Sequence, residues 1–130
     1  QQLILISKMV DIGSFPVRIV PVETVREPSG LAMSSRNIYL SKTQKISASK
    51  IYKSLLLAKE LLGRGEKESK TIKNEIKKNL LADSTISIDY VSIVCLDKLR
   101  EVSGSVNTPA LISIAVYIGG VRLIDNIFYE

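Results

Sequence analysis

The 130-residue sequence contains no histidine and no tryptophan, and only one cysteine. Without an imidazole the chain has no Ser-His-Asp or Cys-His relay and no His-ligated metal of its own, because those chemistries need a group that titrates near neutral pH. Cys95 forms no intrachain disulfide, which suits a reducing compartment. It lies in an apolar run with no CxxC partner and is read as a buried, inert thiol. Aromatic residues make up only 5%, leaving little to stack on nucleic-acid bases. No apolar run is long enough to span a bilayer and no leader pattern opens the chain, so a soluble, cytoplasmic protein with no membrane partner is expected. An initiator methionine is also missing. Gln1-Gln2-Leu3 starts in mid-pattern, with Leu3, Ile4, Ile6, Met9 and Val10 near helical spacing, and the sequence is read as a fragment of a longer protein.

What is present is a globular composition, 45% hydrophobic and 24% charged, with mean hydropathy +0.18. A chain of this size buries about two thirds of its unfolded surface without a disulfide or metal staple. Net charge is +5 and the pI about 9.4, so the charge has to be located. Residues 42–78 carry eleven basic side chains, ten of them Lys, against four acidic ones, while the rest carries seven against nine. The surplus is a lysine face on helices, with Tyr52 its only aromatic. That fits a solvated surface, and no nucleic-acid partner is expected; a basic nucleic-acid-binding module or a stand-alone regulatory module are the alternatives. Glu60 with Arg64 and Glu66 with Lys70 have the spacing of helix surface pairs.

Residues 1–10 read as a helix broken by Gly13 and Pro16, and Val17 to Val22 as a short buried strand. Pro28, Ser29 and Gly30 mark a turn, with a domain boundary placed near Thr24. Ser41-Lys42-Thr43-Gln44 is a capping box. The helix it opens runs to about Leu62 with Ile51, Leu55, Ala58 and Leu62 on one stripe, and Gly63 and Gly65 at its end. A second helix from Glu68 to Ala82 turns Ile72, Ile76 and Leu80 inward. Ile86, Ile88 and Tyr90 alternate inward, whereas Val91, Ile93 and Cys95 have the opposite parity, so this strand is bulged or covered on both faces. Strands at Leu111–Ile118 and 121–127 flank Gly119-Gly120, a hairpin signal. The fold class is α+β: a small antiparallel sheet packed with helices.

One segment is chemically unusual: Gly30-Leu31-Ala32-Met33-Ser34-Ser35-Arg36-Asn37. Two hydroxyls, an Arg and an Asn after a glycine loop, with helix-start amides, form a donor array suited to phosphate. A helix cap with a surface Arg explains the same letters. Arg122 and Asp125, on opposite faces of a strand, are read as structural, one of them exposed or paired with a helix. Asn37 and Tyr39 are candidates to cap or brace the loop.

Gln1-Gln2-Leu3, Met9-Val10 and the run from Val25-Arg26-Glu27-Pro28 through Met33-Ser34-Ser35-Arg36-Asn37 to Leu40 closely resemble the pantothenate synthetases, or pantoate-beta-alanine ligases. Ile88-Asp89-Tyr90-Val91-Ser92-Ile93-Val94 and Arg122-Leu123-Ile124-Asp125-Asn126 resemble that family's last strands, in the same order. The resemblance implies an ATP-dependent ligase, assisted by magnesium, that makes pantoyl adenylate from ATP and pantoate and then passes the pantoyl group to beta-alanine. It implies a cytoplasmic homodimer, with residues 1–23 the last helix and strand of a Rossmann-like nucleotide-binding domain and residues 24–130 the C-terminal domain. By the same resemblance Ser34, Ser35 and Arg36 hold the ATP phosphates, Val25 and Met33 line the adenine pocket, and Gln2 binds pantoate. From the residues alone, Val25 and Met33 read equally as core and Gln2 as a helix-surface amide. The family's His-containing nucleotide motif is absent, so the fragment is expected to be inactive by itself, and no metal-ligating residues are assigned.

Overall fold

The computed structural model describes residues 2–97, 99–107 and 109–130. Its elements are α1 (Gln2–Ile12), a 3₁₀ turn (Ser35–Tyr39), α2 (Lys42–Gly63), α3 (Ser69–Leu81), β1 (Ile86–Cys95), β2 (Ala110–Ile118) and β3 (Val121–Tyr129).

Local chemistry sets the helix ends. Ser41 Oγ accepts from the Gln44 amide while Gln44 Oε1 accepts from the Ser41 amide, so the box at the start of α2 is closed in both directions. The expected stripe of Ile51, Leu55, Ala58 and Leu62 is buried, as are Ile72, Ile76 and Leu80 of α3. Both helices pack on one face of a sheet ordered β1-β2-β3, antiparallel throughout. That face supplies Ile86, Val91, Ile93, Ile112, Ile114, Val116 and Leu123 to the core.

The parity conflict in β1 is resolved by a bulge: Ile88 pairs with Val116 and Tyr90 with Ala115, leaving Asp89 as the extra residue. The bulge turns Val91 and Ile93 inward. Tyr90, expected inward, therefore faces outward and is exposed. Gly119 and Gly120 both take positive φ, +57° and +80°, the conformation a two-residue hairpin requires of its central residues.

Four other expectations fail. Residues 17–22 form no strand and only Ile19 among them is shielded, because no described residue offers a ladder to their backbone groups. Cys95, the last residue of β1, is half-buried rather than buried. Glu60 does pair with Arg64 at 2.5 Å, but Glu66 precedes α3 and accepts from the Glu68 amide at 2.7 Å instead of meeting Lys70. Gly63 stays helical, and Gly65 alone takes the left-handed conformation after α2.

Residues 2–24 sit apart from this core. None of the α1 side chains is buried, and Leu5, Ile6, Met9 and Ile12 are exposed. Lys8 Nζ donates to the Asp97 carbonyl at 2.8 Å. No helix is long and apolar enough to cross a membrane among the described residues.

Candidate functional site

Residues 25–33 fold back on themselves as a narrow arm. The Met33 amide donates to the Val25 carbonyl at 2.9 Å, and the Glu27 amide to the Leu31 carbonyl at 2.8 Å. Pro28 suits the turn because its ring presets φ. The turn closes through Gly30, whose φ of +88° is strained for any residue with a Cβ. A Cβ there would also lie 2.7 Å from Cδ1 of Tyr52, so the arm rests directly on α2.

The arm leads straight into the donor segment. Ser34 caps the 3₁₀ turn, its Oγ accepting from the Arg36 amide at 3.2 Å, while the Asn37 amide donates to the Ser34 carbonyl at 3.0 Å. The helix-start amides expected to serve an anion are thus already occupied by Ser34. The segment is a helix cap with a surface Arg, as one of the two sequence readings has it, and the side chains of Ser34, Ser35 and Arg36 remain free of the capping bonds except for Ser34 Oγ. Ser34, Ser35 and Arg36 are exposed, and among the described residues the Arg36 guanidinium has no bonded partner. Asn37 braces the loop from inside, its Nδ2 donating to Glu27 Oε1 at 3.1 Å and to the Ala32 carbonyl at 3.0 Å. Its Oδ1 is buried with no hydrogen-bond partner among the described residues. Tyr39 is exposed, and no hydrogen bond from its side chain braces the loop among the described residues.

Val25 and Met33 lie side by side and both are exposed, at 65% and 62%, so neither packs in the core formed by the described residues. A cleft of about 270 Å³ opens between Met33, Ser34, Arg36 and Asn37 on one wall and β3 residues 122–126 on the other. Of the sequence-derived candidates, Met33, Ser34 and Arg36 line this cleft; Ser35 does not, and Val25 is joined to the group only through its backbone bond to Met33. Gln2 is not brought to it: it is exposed on α1, and no hydrogen bond ties it to the loop among the described residues.

Arg122 and Asp125 part company as their parity requires. Arg122 meets Asp89, the bulge residue of β1, through Nε at 3.0 Å and Nη2 at 2.8 Å, so its partner is a strand and not a helix. Asp125 is 6% exposed and takes both nitrogens of Arg26, with Nη1 to Oδ2 at 2.6 Å and Nη2 to Oδ1 at 3.0 Å. Arg26 Nη1 also donates to the Gly30 carbonyl at 3.1 Å, and the guanidinium stacks 3.7 Å above the centre of the Tyr52 ring. Burial, the largest single influence on this guanidinium, works to lower its pKa, but the bonds and charge of Asp125, with Tyr52, outweigh it and hold the pKa raised. Sequence reasoning passed over Arg26, because nothing local distinguishes it and its partner lies 99 positions away.

No group of three His, Cys, Asp or Glu side chains that could hold a metal occurs among the described residues. The two carboxylates nearest the loop, Glu27 and Asp125, are committed to Asn37 and Arg26.

Known proteins bear on this geometry. A family profile described as pantoate-beta-alanine ligase matches residues 1–128. The chain is 43% identical over its full length to a pantothenate synthetase of Caldicellulosiruptor bescii, of which it covers 46%. It is 44% identical over 126 residues to one from Thermosipho africanus, covering 45%. The chain thus spans about half the length of the curated relatives it matches. Its fold superimposes on the crystal structure of a pantothenate synthetase from Thermus thermophilus with a TM-score of 0.85 at 36% identity, covering 97% of this chain and 45% of that one. A pantoate-beta-alanine ligase from Francisella tularensis, complexed with beta-gamma ATP and beta-alanine, matches over 97% of this chain and 39% of its own at a TM-score of 0.55 and 31% identity. By the profile, the shared length and the common fold, this chain belongs to the pantoate-beta-alanine ligase family.

Proposed function

We propose that this chain is the C-terminal part of an ATP-dependent ligase that condenses pantoate with beta-alanine, and that its loop 33–36 handles the ATP phosphates. In the first step a carboxylate oxygen of pantoate bonds to the α-phosphorus of ATP and pyrophosphate leaves. In the second the amine of beta-alanine bonds to the acyl carbon, loses a proton, and AMP leaves. Negative charge grows on the departing pyrophosphate, and fixed donors aimed at it lower the barrier without any proton transfer. The observation that carries the reading is the exposed, unengaged Arg36 beside the Ser34 and Ser35 hydroxyls, on a loop braced from behind. A planar guanidinium fork matches phosphate oxygens two at a time.

The neighbouring apolar side chains of Val25 and Met33 would flank the adenine, and Gln2 would bind pantoate once the rest of the ligase places α1. Residues 1–23 are assigned to the nucleotide domain and 24–130 to the C-terminal domain, in a cytoplasmic homodimer. The exposed apolar side chains of α1 support the first assignment, as surface that another part of the protein covers. Magnesium is implied by the family resemblance, and no step is routed through it. The 130-residue chain by itself is expected to release neither AMP nor pyrophosphate from the three substrates, for want of the family's His-containing motif.

The reading is tested by Arg36→Ala in the full-length ligase. Single-turnover release of pyrophosphate should slow by about 10²-fold with little change in pantoate binding. Arg36→Lys should recover only part of the loss, because the fork is gone. An unchanged rate in the alanine variant refutes the assignment of this loop.

A further inference from the structure

We infer that Arg26 and Asp125 form a positioning clamp for the donor loop, setting where Ser34, Ser35 and Arg36 stand relative to the phosphates. This rests on the phosphate-loop reading above. The three donors are exposed, and the backbone before them belongs to the 25–33 arm. Where that arm is fastened therefore decides where they point. Arg26 joins the arm to three places at once: β3 through both oxygens of Asp125, its own turn through the Gly30 carbonyl, and α2 through the Tyr52 ring. Asn37 then ties the far side of the loop back to Glu27 and Ala32 of the same arm.

The carboxylate at the root of the clamp is itself fixed. Asp125 lies on a paired strand, facing Ile114 of β2, and its Oδ1 also accepts from the Asn126 amide at 2.8 Å. The Asp125 side chain is 4% exposed and that of Arg26 18%. A buried ion pair of this kind stabilises a fold little more than a well-packed apolar pair would. What an apolar pair cannot do is fix both distance and orientation, as two parallel N–H···O bonds do. Such precision matters where a misplacement of about 1 Å costs on the order of 10² in rate.

The test uses the full-length ligase with Asp125→Asn, Arg26→Lys, their double variant and Arg36→Ala as reference. Two steps are timed on each preparation: single-turnover pyrophosphate release, and conversion of supplied pantoyl adenylate and beta-alanine to pantothenate. The clamp variants should slow the first step about 10- to 100-fold and leave the second, timed at saturating pantoyl adenylate because Val25 and Met33 of the arm are assigned to the adenine, within about twofold. The double variant should be no slower than the worse single one, since both changes break one unit. Arg26→Lys keeps the charge and loses the fork, so it carries the test should Asp125→Asn fail to fold. Equal slowing of both steps overturns the clamp, for that is what loss of folded protein produces. Unchanged pyrophosphate release in the clamp variants beside a slow Arg36→Ala overturns the clamp alone. A neutral Arg36→Ala overturns the phosphate-loop reading and, with it, the purpose assigned to the clamp.

Discussion

Gly30→Ala isolates the contact between the arm and α2. At φ +88° an alanine pays the left-handed penalty, about 1–2 kcal/mol. Its Cβ would stand 2.7 Å from Cδ1 of Tyr52, closer than carbon atoms pack, so the ring must turn away. Turning it breaks the stack under Arg26, now 3.7 Å from the ring centre, at a further cost of about 0.5–2 kcal/mol. The total expected is about 1.5–4 kcal/mol. Gly65 provides the control: its φ is +93° and a Cβ there meets nothing within 4 Å, so Gly65→Ala should cost only the backbone part, about 1–2 kcal/mol. Urea unfolding of the chain followed by circular dichroism measures both, as midpoint shifts at constant m-value. In a Tyr52→Ala background the Gly30→Ala cost should fall to that of Gly65→Ala. Equal costs for the two glycines in the native background would refute the contact argument.

Ile76→Ala, at a fully buried site between α3 and the sheet, should lose about 2–5 kcal/mol in the same assay; a loss under about 1 kcal/mol would mean the site collapses around the gap. The Asp83 carboxyl is held well below the usual carboxylate range, first by the Thr85 hydroxyl and then by the Thr85 amide, Ser47 and Lys50. Because the folded pKa is the lower one, its contribution is present above about pH 4 and fades as pH falls further. Asp83→Asn should therefore flatten the decline of urea midpoints from about pH 4 downward, and an identical slope would remove Asp83 as its source. Lys70, Lys77 and Lys78 are all exposed, and changing the three to Gln should shift stability by no more than about 0.5 kcal/mol each. The triple variant of the full-length ligase should keep its activity, and a large fall would mean that this face meets a substrate or another part of the protein.

Much of the fold was legible in the residues because its signals are local. The capping box at Ser41, the apolar stripes of α2 and α3 and the two glycines between β2 and β3 each act within a few positions, where the chain has no choice of partner. The parity conflict along β1 announced a bulge, but only pairing with β2 showed that Asp89 is the extra residue and that Tyr90 turns outward. Apolar content alone made residues 17–22 look like a strand. A strand exists only where another backbone completes its hydrogen bonds, and no described residue does so.

The candidate site divides the same way. Ser34, Ser35 and Arg36 stand consecutively, so the sequence by itself determined that these donors share one loop, and residue chemistry marked the loop for an anion. That Val25 lies beside Met33 came from the turn at Gly30, which folds the arm back on itself. Tertiary structure alone decided what holds the arm in place. Arg26 and Asp125 are 99 positions apart, and neither carries a pattern naming the other. They meet because β3 is the edge strand beside α2 and the arm crosses both. Once buried there, each charge has to be neutralised by the other, a requirement that arises only after the chain has folded.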